Sequence, residues 1–292
     1  MISGDELLQL SRSGAPLTTQ REAWREALRQ RGVGETALSS VMRHVRDGVV
    51  LSSALTPGRT RLGGPGALPE GEPWPHLPGD AADWHLGFLM EIALDELVTV
   101  PPLPADGTLL IFQDQEMFGL GRDAMEATRV FYVPPGVELT HPEAPEKLLW
   151  PLPAKHLGSR AAPIPGDASL TVRELPEGDR ESVIAAMNEV GPAAMEDCGH
   201  WLLGAPVEVQ GPVLEELTRT FADLSDASRQ RLSPTLLRGE GWRLLAQVGA
   251  EYDREIGLSF EIADGGALFL CIPDEDLHAL RFDRVIGFAQ SH

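Results

Sequence analysis

The chain has 292 residues, of which 42% are hydrophobic, and carries a formal net charge of −20. A chain of this size buries about three quarters of its unfolded surface and folds without staples, and its two cysteines, Cys198 and Cys271, form neither a CxxC pair nor a disulfide framework. Residues 1–61 hold nine Arg against six Asp/Glu (+3) and residues 62–292 hold fifteen Lys/Arg against thirty-eight Asp/Glu (−23), a balance that disfavours nucleic acid as a partner of the main body.

The segment Met1–Glu6 is neither basic nor followed by an apolar run, and no stretch approaches the roughly 20 apolar residues that span a bilayer. A cytoplasmic protein is the expectation. Residues 5–12 and 18–31 read as helices, the second opened by Thr18 or Thr19 as N-cap with Glu22 placed for a capping box. A third helix over 35–46 puts Leu38, Val41, Met42 and Val45 on one stripe. These form a helical lead-in, residues 1–48, ahead of a β-rich body over 49–292.

The body opens with a short strand at Val49–Leu51, then five Pro and five Gly between Gly63 and Gly79 exclude a regular ladder. Trp74 within that stretch marks a packed loop rather than a linker. Alternation from Trp84 to Leu94 predicts a strand with Trp84, Leu86, Phe88, Met90, Ile92 and Leu94 on one face. Asp106-Gly107 turns into an apolar strand over 108–112, and 130–133 adds another. The seven prolines of 141–178 predict irregular chain. Helices follow over 181–189 and 213–232, the latter with Leu214, Leu217, Phe221 and Leu224 as its buried stripe.

A repeat is visible. Trp242 to Val248 aligns on Leu86 to Ile92, keeping Leu89 with Leu245, Glu91 with Gln247 and Ile92 with Val248. Each copy continues to an Asp-Gly turn and an apolar strand, at Asp106-Gly107 and Asp264-Gly265, and Leu62–Pro65 is echoed by Leu203–Pro206. Three echoes in one order predict a duplicated β unit, so an α+β chain whose body forms two similar, pseudo-twofold halves, about 62–135 and 200–290, after an N-terminal helical segment. Phe88, Ile92, Leu110, Leu244 and Val248 are the expected core.

Several blocks carry a resemblance to a known family: Arg61–Pro65 with Leu68-Pro69 and Trp74-Pro75, Gly87–Ile92, His200–Gly204 through Pro206 to Gln210, Trp242–Gln247, and Asp264-Gly265. Together they are similar to the YwqG-like family of uncharacterised bacterial proteins, over roughly residues 49–290. The resemblance implies an α+β fold with mainly antiparallel sheets, no established activity, and members that look like components of toxin and immunity gene sets. Glu91 stands where that family usually has Gln.

Reactive constellations are missing from the sequence. Cys198, His200, His76, His85, Asp80 and Asp83 include metal-ligating types without CxxC…CxxC or HExxH spacing. No Gly-x-Ser-x-Gly elbow, GxGxxG or P-loop occurs, so no catalytic residue, metal or cofactor is assigned. Glu91 and Gln247, at equivalent repeat positions, either bond each other or backbone, or meet a ligand with His200 and Gln210 in a cleft between the halves, as an enzyme or a small-ligand sensor would. The leading expectation is an immunity-type module binding a basic protein such as a toxin. Its acidic contacts would come from loops holding Glu251, Asp253 and Glu255, and Asp274, Glu275 and Asp276.

Overall fold

The computed structural model describes residues 1–79, 83–148, 152–166, 173, 175–196, 199–253, 257–260, 262 and 265–291, with the backbone alone for 251–253 and 257–260. The chain opens with helices α1 (Gly4–Arg12), α2 (Leu17–Arg29) and α3 (Glu35–His44). Strands β1 (Arg46–Ser52), β2 (Arg61–Leu62), β3 (Leu68–Pro69), β4 (Gly87–Ala93), β5 (Thr108–Gln113), β6 (Thr128–Val133), β7 (Leu139–Thr140), β8 (Lys155–His156) and β9 (Gly158–Ile164) follow. Then come α4 (Glu177–Ala194), β10 (His200–Leu203), α5 (Val213–Thr220), α6 (Asp226–Gln230), β11 (Trp242–Gly249), β12 (Glu251–Asp253), β13 (Gly257–Phe260), β14 (Ala267–Pro273), α7 (Asp274–His278) and β15 (Ile286–Gln290).

This is an α+β fold. A six-stranded sheet runs β15-β14-β11-β10-β1-β9 and a five-stranded sheet runs β6-β5-β4-β2-β8, with antiparallel pairing throughout both. The stretch β6-β5-β4-β2 has the same order and directions as β15-β14-β11-β10. Each also bulges at one place, Leu89 in β4 and Leu245 in β11, the residues that the sequence alignment pairs. Leu202 lies opposite Ala246 as Leu62 lies opposite Met90, so Gly63-Gly64 corresponds to Leu203-Gly204, one residue away from the expected alignment. Both dipeptides are left-handed, with φ of 61° and 83° in the first and 57° and 74° in the second.

The bulge overturns the expectation that Trp84 to Leu94 shows one apolar face. An extra residue on one strand reverses the alternation beyond it. Before the bulge, Leu86 and Phe88 pack with Leu68, Leu110 and Phe112 under the 65–77 loop; after it, Met90 and Ile92 join the core between the sheets. β11 behaves alike, with Trp242 and Leu244 packing beneath α5 and with Ala246 and Val248 in the shared core. All five expected core residues are buried. Trp84 is 41% exposed.

The helical segment docks on the body. α1, α2 and α3 pack on α4, a helix of the body, through Leu28, Leu38, Val183 and Val190, and the chain enters β1 already at Arg46. α3 accordingly stops at His44. The capping box falls on α1, where Ser3 Oγ accepts from Glu6 N and Glu6 Oε2 accepts from Ser3 N; α2 begins at Leu17 behind Pro16 and has no side-chain cap. Within 141–178 the chain forms β9, whose Pro163 is accommodated because β9 is an edge strand. The expected 213–232 helix is two, α5 and α6, and Leu214 is 48% exposed, Val213 taking its place in the buried stripe.

Candidate functional site

Glu91 and Gln247 occupy the equivalent positions expected of them, and both are committed to structure. Arg61, paired opposite Glu91 in β2, contacts its carboxylate at 2.8 Å, donates to the carbonyls of Gly63 and Pro65, and lies over the Phe88 ring. Glu91 thereby anchors the left-handed Gly63-Gly64 turn through Arg61. Gln247 binds backbone directly: its Oε1 accepts from Val207 N at 3.0 Å and its Nε2 donates to Val207 O at 2.9 Å. Gln290 braces the same loop, accepting from Val209 N and Gln210 N and donating to Gly211 O. Buried amides that find both partners in the backbone satisfy themselves and the loop together.

Neither Glu91 nor Gln247 lines either of the two clefts described here. His200 is fully buried within β10, and the Gln210 side chain donates to Ser291 Oγ. The acidic positions are redistributed as well. Glu251 and Asp253 lie in β12 rather than in a loop, and Glu255 lies outside the described residues. Asp274, Glu275 and Asp276 form the first turn of α7, where carboxylates suit the helix dipole. Asp274 pairs with Arg243, Glu275 with Arg284, and the wholly buried Asp276 with both Arg281 and Arg284. Asp276 is therefore a structural carboxylate and not an exposed contact.

The polar site that the sequence did not reveal lies at the other end of β4 and β5. The strands diverge there, since β4 begins at Gly87 and β5 ends at Gln113, and the residues just outside the ladder, His85, Asp114, Gln115 and Glu116, line a cleft of about 540 Å³. Trp84, Asp83 and Lys147 complete its mouth. Asp114 is only 5% exposed, and its Oδ1 accepts from Glu116 N at 3.2 Å, an Asx turn that fixes the carboxyl at the cleft wall. Burial pushes the Asp114 carboxyl above the ordinary carboxylate range; Arg122, 3.3 Å from Oδ2, offsets part of this. Arg122 also lies 4.5 Å over the Trp84 ring and pairs with Glu116, tying loop 114–122 to the opposite rim.

Gln115 is placed by a missing side chain. Any Cβ at residue 87 would collide with its carboxamide, so Gly87 makes the room that the amide occupies. Both amide atoms of Gln115 and Nδ1 of His85 are buried without a hydrogen-bond partner in the protein, a cost of about 1–3 kcal/mol for each unmet group. The cleft wall thus holds a carboxyl, an unmet amide donor and acceptor, and an unmet imidazole nitrogen. Among the described residues no three His, Cys, Asp or Glu are grouped to hold a metal. The His76 and His85 rings meet edge to face at 6.3 Å, and Asp80 and Cys198 lie outside the described residues.

An antiparallel two-sheet α+β body with a polar cleft at a sheet end is the class of protein that fold and site define. Residues 60–290 match the family described as "Domain of unknown function (DUF1963)", and the chain belongs to that family. A comparison with curated proteins gave no match. Among the described residues no helix is long and apolar enough to cross a membrane.

Proposed function

We propose that the protein binds a small ligand carrying an amide or amide-like donor–acceptor pair in the cleft beside Asp114 and Gln115. The observation that carries this is the Gln115 carboxamide, buried by virtue of Gly87 with both of its polar atoms unpartnered at the cleft wall. A second amide edge satisfies both atoms at once, and discrimination by such buried pairs is strong because a ligand lacking them leaves the protein groups unmet. Asp114 adds an acceptor or, when protonated, a donor, and the half-exposed Trp84 offers apolar surface at the mouth.

Saturation-transfer NMR with acetamide, urea and nicotinamide tests the reading. Wild-type protein transfers magnetisation to at least one of these probes, and Gln115→Ala loses at least tenfold in affinity. Asp114→Asn weakens binding without lowering stability at pH 7. A carboxyl whose folded pKa is raised supports the fold fully below its unfolded value, about 4, and loses that support as pH rises through the folded value, so the neutral amide avoids a penalty present in wild type. Equal binding by Gln115→Ala defeats the proposal.

A second reading, a basic protein partner drawn to the acidic body, is supported by the −23 charge of residues 62–292 and by the resemblance to YwqG-like proteins. Asp276, wholly buried against Arg281 and Arg284, does not supply its contact, whereas Asp274 and Glu275 keep exposed side chains within their ion pairs. An association rate with such a partner that does not fall with added salt would count against it.

A further inference from the structure

A second cleft lies at one end of the six-stranded sheet. β1 begins there at Arg46, β10 ends at Leu203, β11 begins at Trp242 and β14 ends at Pro273, while α2 and the end of α3 stand across from them. The space is about 860 Å³. Arg21, Arg46, Arg173, Arg243 and His44 line it against three carboxylates, Asp47, Glu208 and Asp274, in a chain where 44 acidic residues outnumber 24 basic ones. The cleft thus reverses the charge bias of the molecule around it.

The three carboxylates already have donors. Asp47 accepts from Arg21 Nε at 2.8 Å, Asp274 lies 2.7 Å from Arg243 Nε, and Glu208 Oε1 accepts from Val213 N at the start of α5. Arg46 and Arg243 are able to receive an anion. Arg46 is exposed and pairs with no carboxylate among the described residues. Arg243 reaches Asp274 through Nε, which leaves its terminal nitrogens for another acceptor. His44 and Arg46 are two residues apart where α3 passes into β1, so both reach the cleft from one short segment. The cleft wall is bare at Gly204 and Gly241, whose φ of 74° and 77° exclude most side chains.

We infer that this cleft is a binding site for a small dianion of the phosphate or dicarboxylate class, held by Arg46 and Arg243 with His44 beside them. Guanidinium groups present paired N–H donors that match the oxygen spacing of both anions, and charge-assisted bonds of this kind are about twice as strong as neutral ones. Cation excess alone on an open surface binds weakly because water and salt screen it. A recess that brings two guanidinium groups from different strands to one volume supplies the convergence that a surface lacks.

Isothermal titration calorimetry of the full chain with inorganic phosphate and with succinate, at ionic strength fixed by sodium chloride, tests this. Saturable binding of either anion is expected; phosphate alone assigns a phosphate-type ligand and succinate alone a carboxylate-type one. Arg46→Gln weakens that binding at least tenfold and leaves the melting temperature unchanged, since Arg46 carries no ion pair among the described residues. Arg243→Gln weakens it as well. No saturable binding of either anion, equal affinity in Arg46→Gln, or displacement by chloride at equal concentration overturns the inference.

Discussion

At the scale of the residue, carboxylates of this protein divide by what surrounds them. Burial alone would push the Asp276 carboxyl up, yet the bonds from Arg284 at 2.5 Å and Arg281 at 2.7 Å outweigh it and hold the group below the ordinary range. A carboxyl with a depressed folded pKa stabilises the fold above its unfolded value, about 4, and loses that contribution as pH falls through the folded value. Stability of the wild type therefore falls below about pH 4. Asp276→Asn flattens that acid limb and costs about 3 kcal/mol at pH 7, because Arg284 keeps a buried charge with a weakened partner. Urea denaturation at pH 3, 5 and 7 measures both effects. None of this was legible in the sequence, where Asp274-Glu275-Asp276 looks like an acidic loop; the arginines that change its meaning come from residues 243, 281 and 284 and are brought in by the fold.

At the scale of the element, the sequence showed more of the strands than of their faces. Period-two alternation located β4, and the Asp-Gly turn located β5, because both patterns are local. The bulges at Leu89 and Leu245 have no local signature, since an extra residue in one strand shows itself only against the partner's register. β9 was hidden by Pro163, which reads as a breaker until the strand proves to be at the sheet edge. The left-handed turn after β2 is a further element-level device: at Gly63, with φ of 61°, an added Cβ would meet Pro153 O at 2.6 Å and Leu152 Cβ at 2.7 Å. Gly63→Ala accordingly costs about 2 kcal/mol or more. Thermal unfolding of that variant compared with Gly71→Ala separates strain from contact, because Gly71 shares the positive φ and has nothing within 4 Å.

At the scale of the whole molecule, two sheets of matching strand order share one core, formed by β4, β5, β11 and β14 through residues such as Ile92, Leu109, Val248 and Leu268. The two clefts lie at corresponding ends of the two sheets, one beside the start of β4 and the end of β5, the other beside the start of β11 and the end of β14. They differ in chemistry because the residues at the strand ends differ: His85 and Gln115, just outside the ladder, in one, and Arg243 of β11 with Asp274 in the other. The alignment singled out Glu91 and Gln247, which lie at matching strand positions and are hydrogen-bonded; the candidate site lies where the two strand sets differ, which similarity between them does not point to. Its residues were present in the sequence, but Asp114 and Gln115 follow an apolar strand as ordinary turn residues, and only the fold sets them beside His85 and Gly87.

The proposed function requires ligand to enter beside Gln115 and not beside Glu91 or Gln247. Chemical-shift mapping of ¹⁵N-labelled protein titrated with the amide probe that saturation transfer selects tests it most directly. Saturable shifts are expected at the Gln115 side-chain amide, the Gly87 N–H and the Trp84 indole N–H, with the Gln247 side-chain amide and Val207 N–H unmoved. Shifts confined to Gln247 and Val207, or no saturable shift at Gln115, would contradict it.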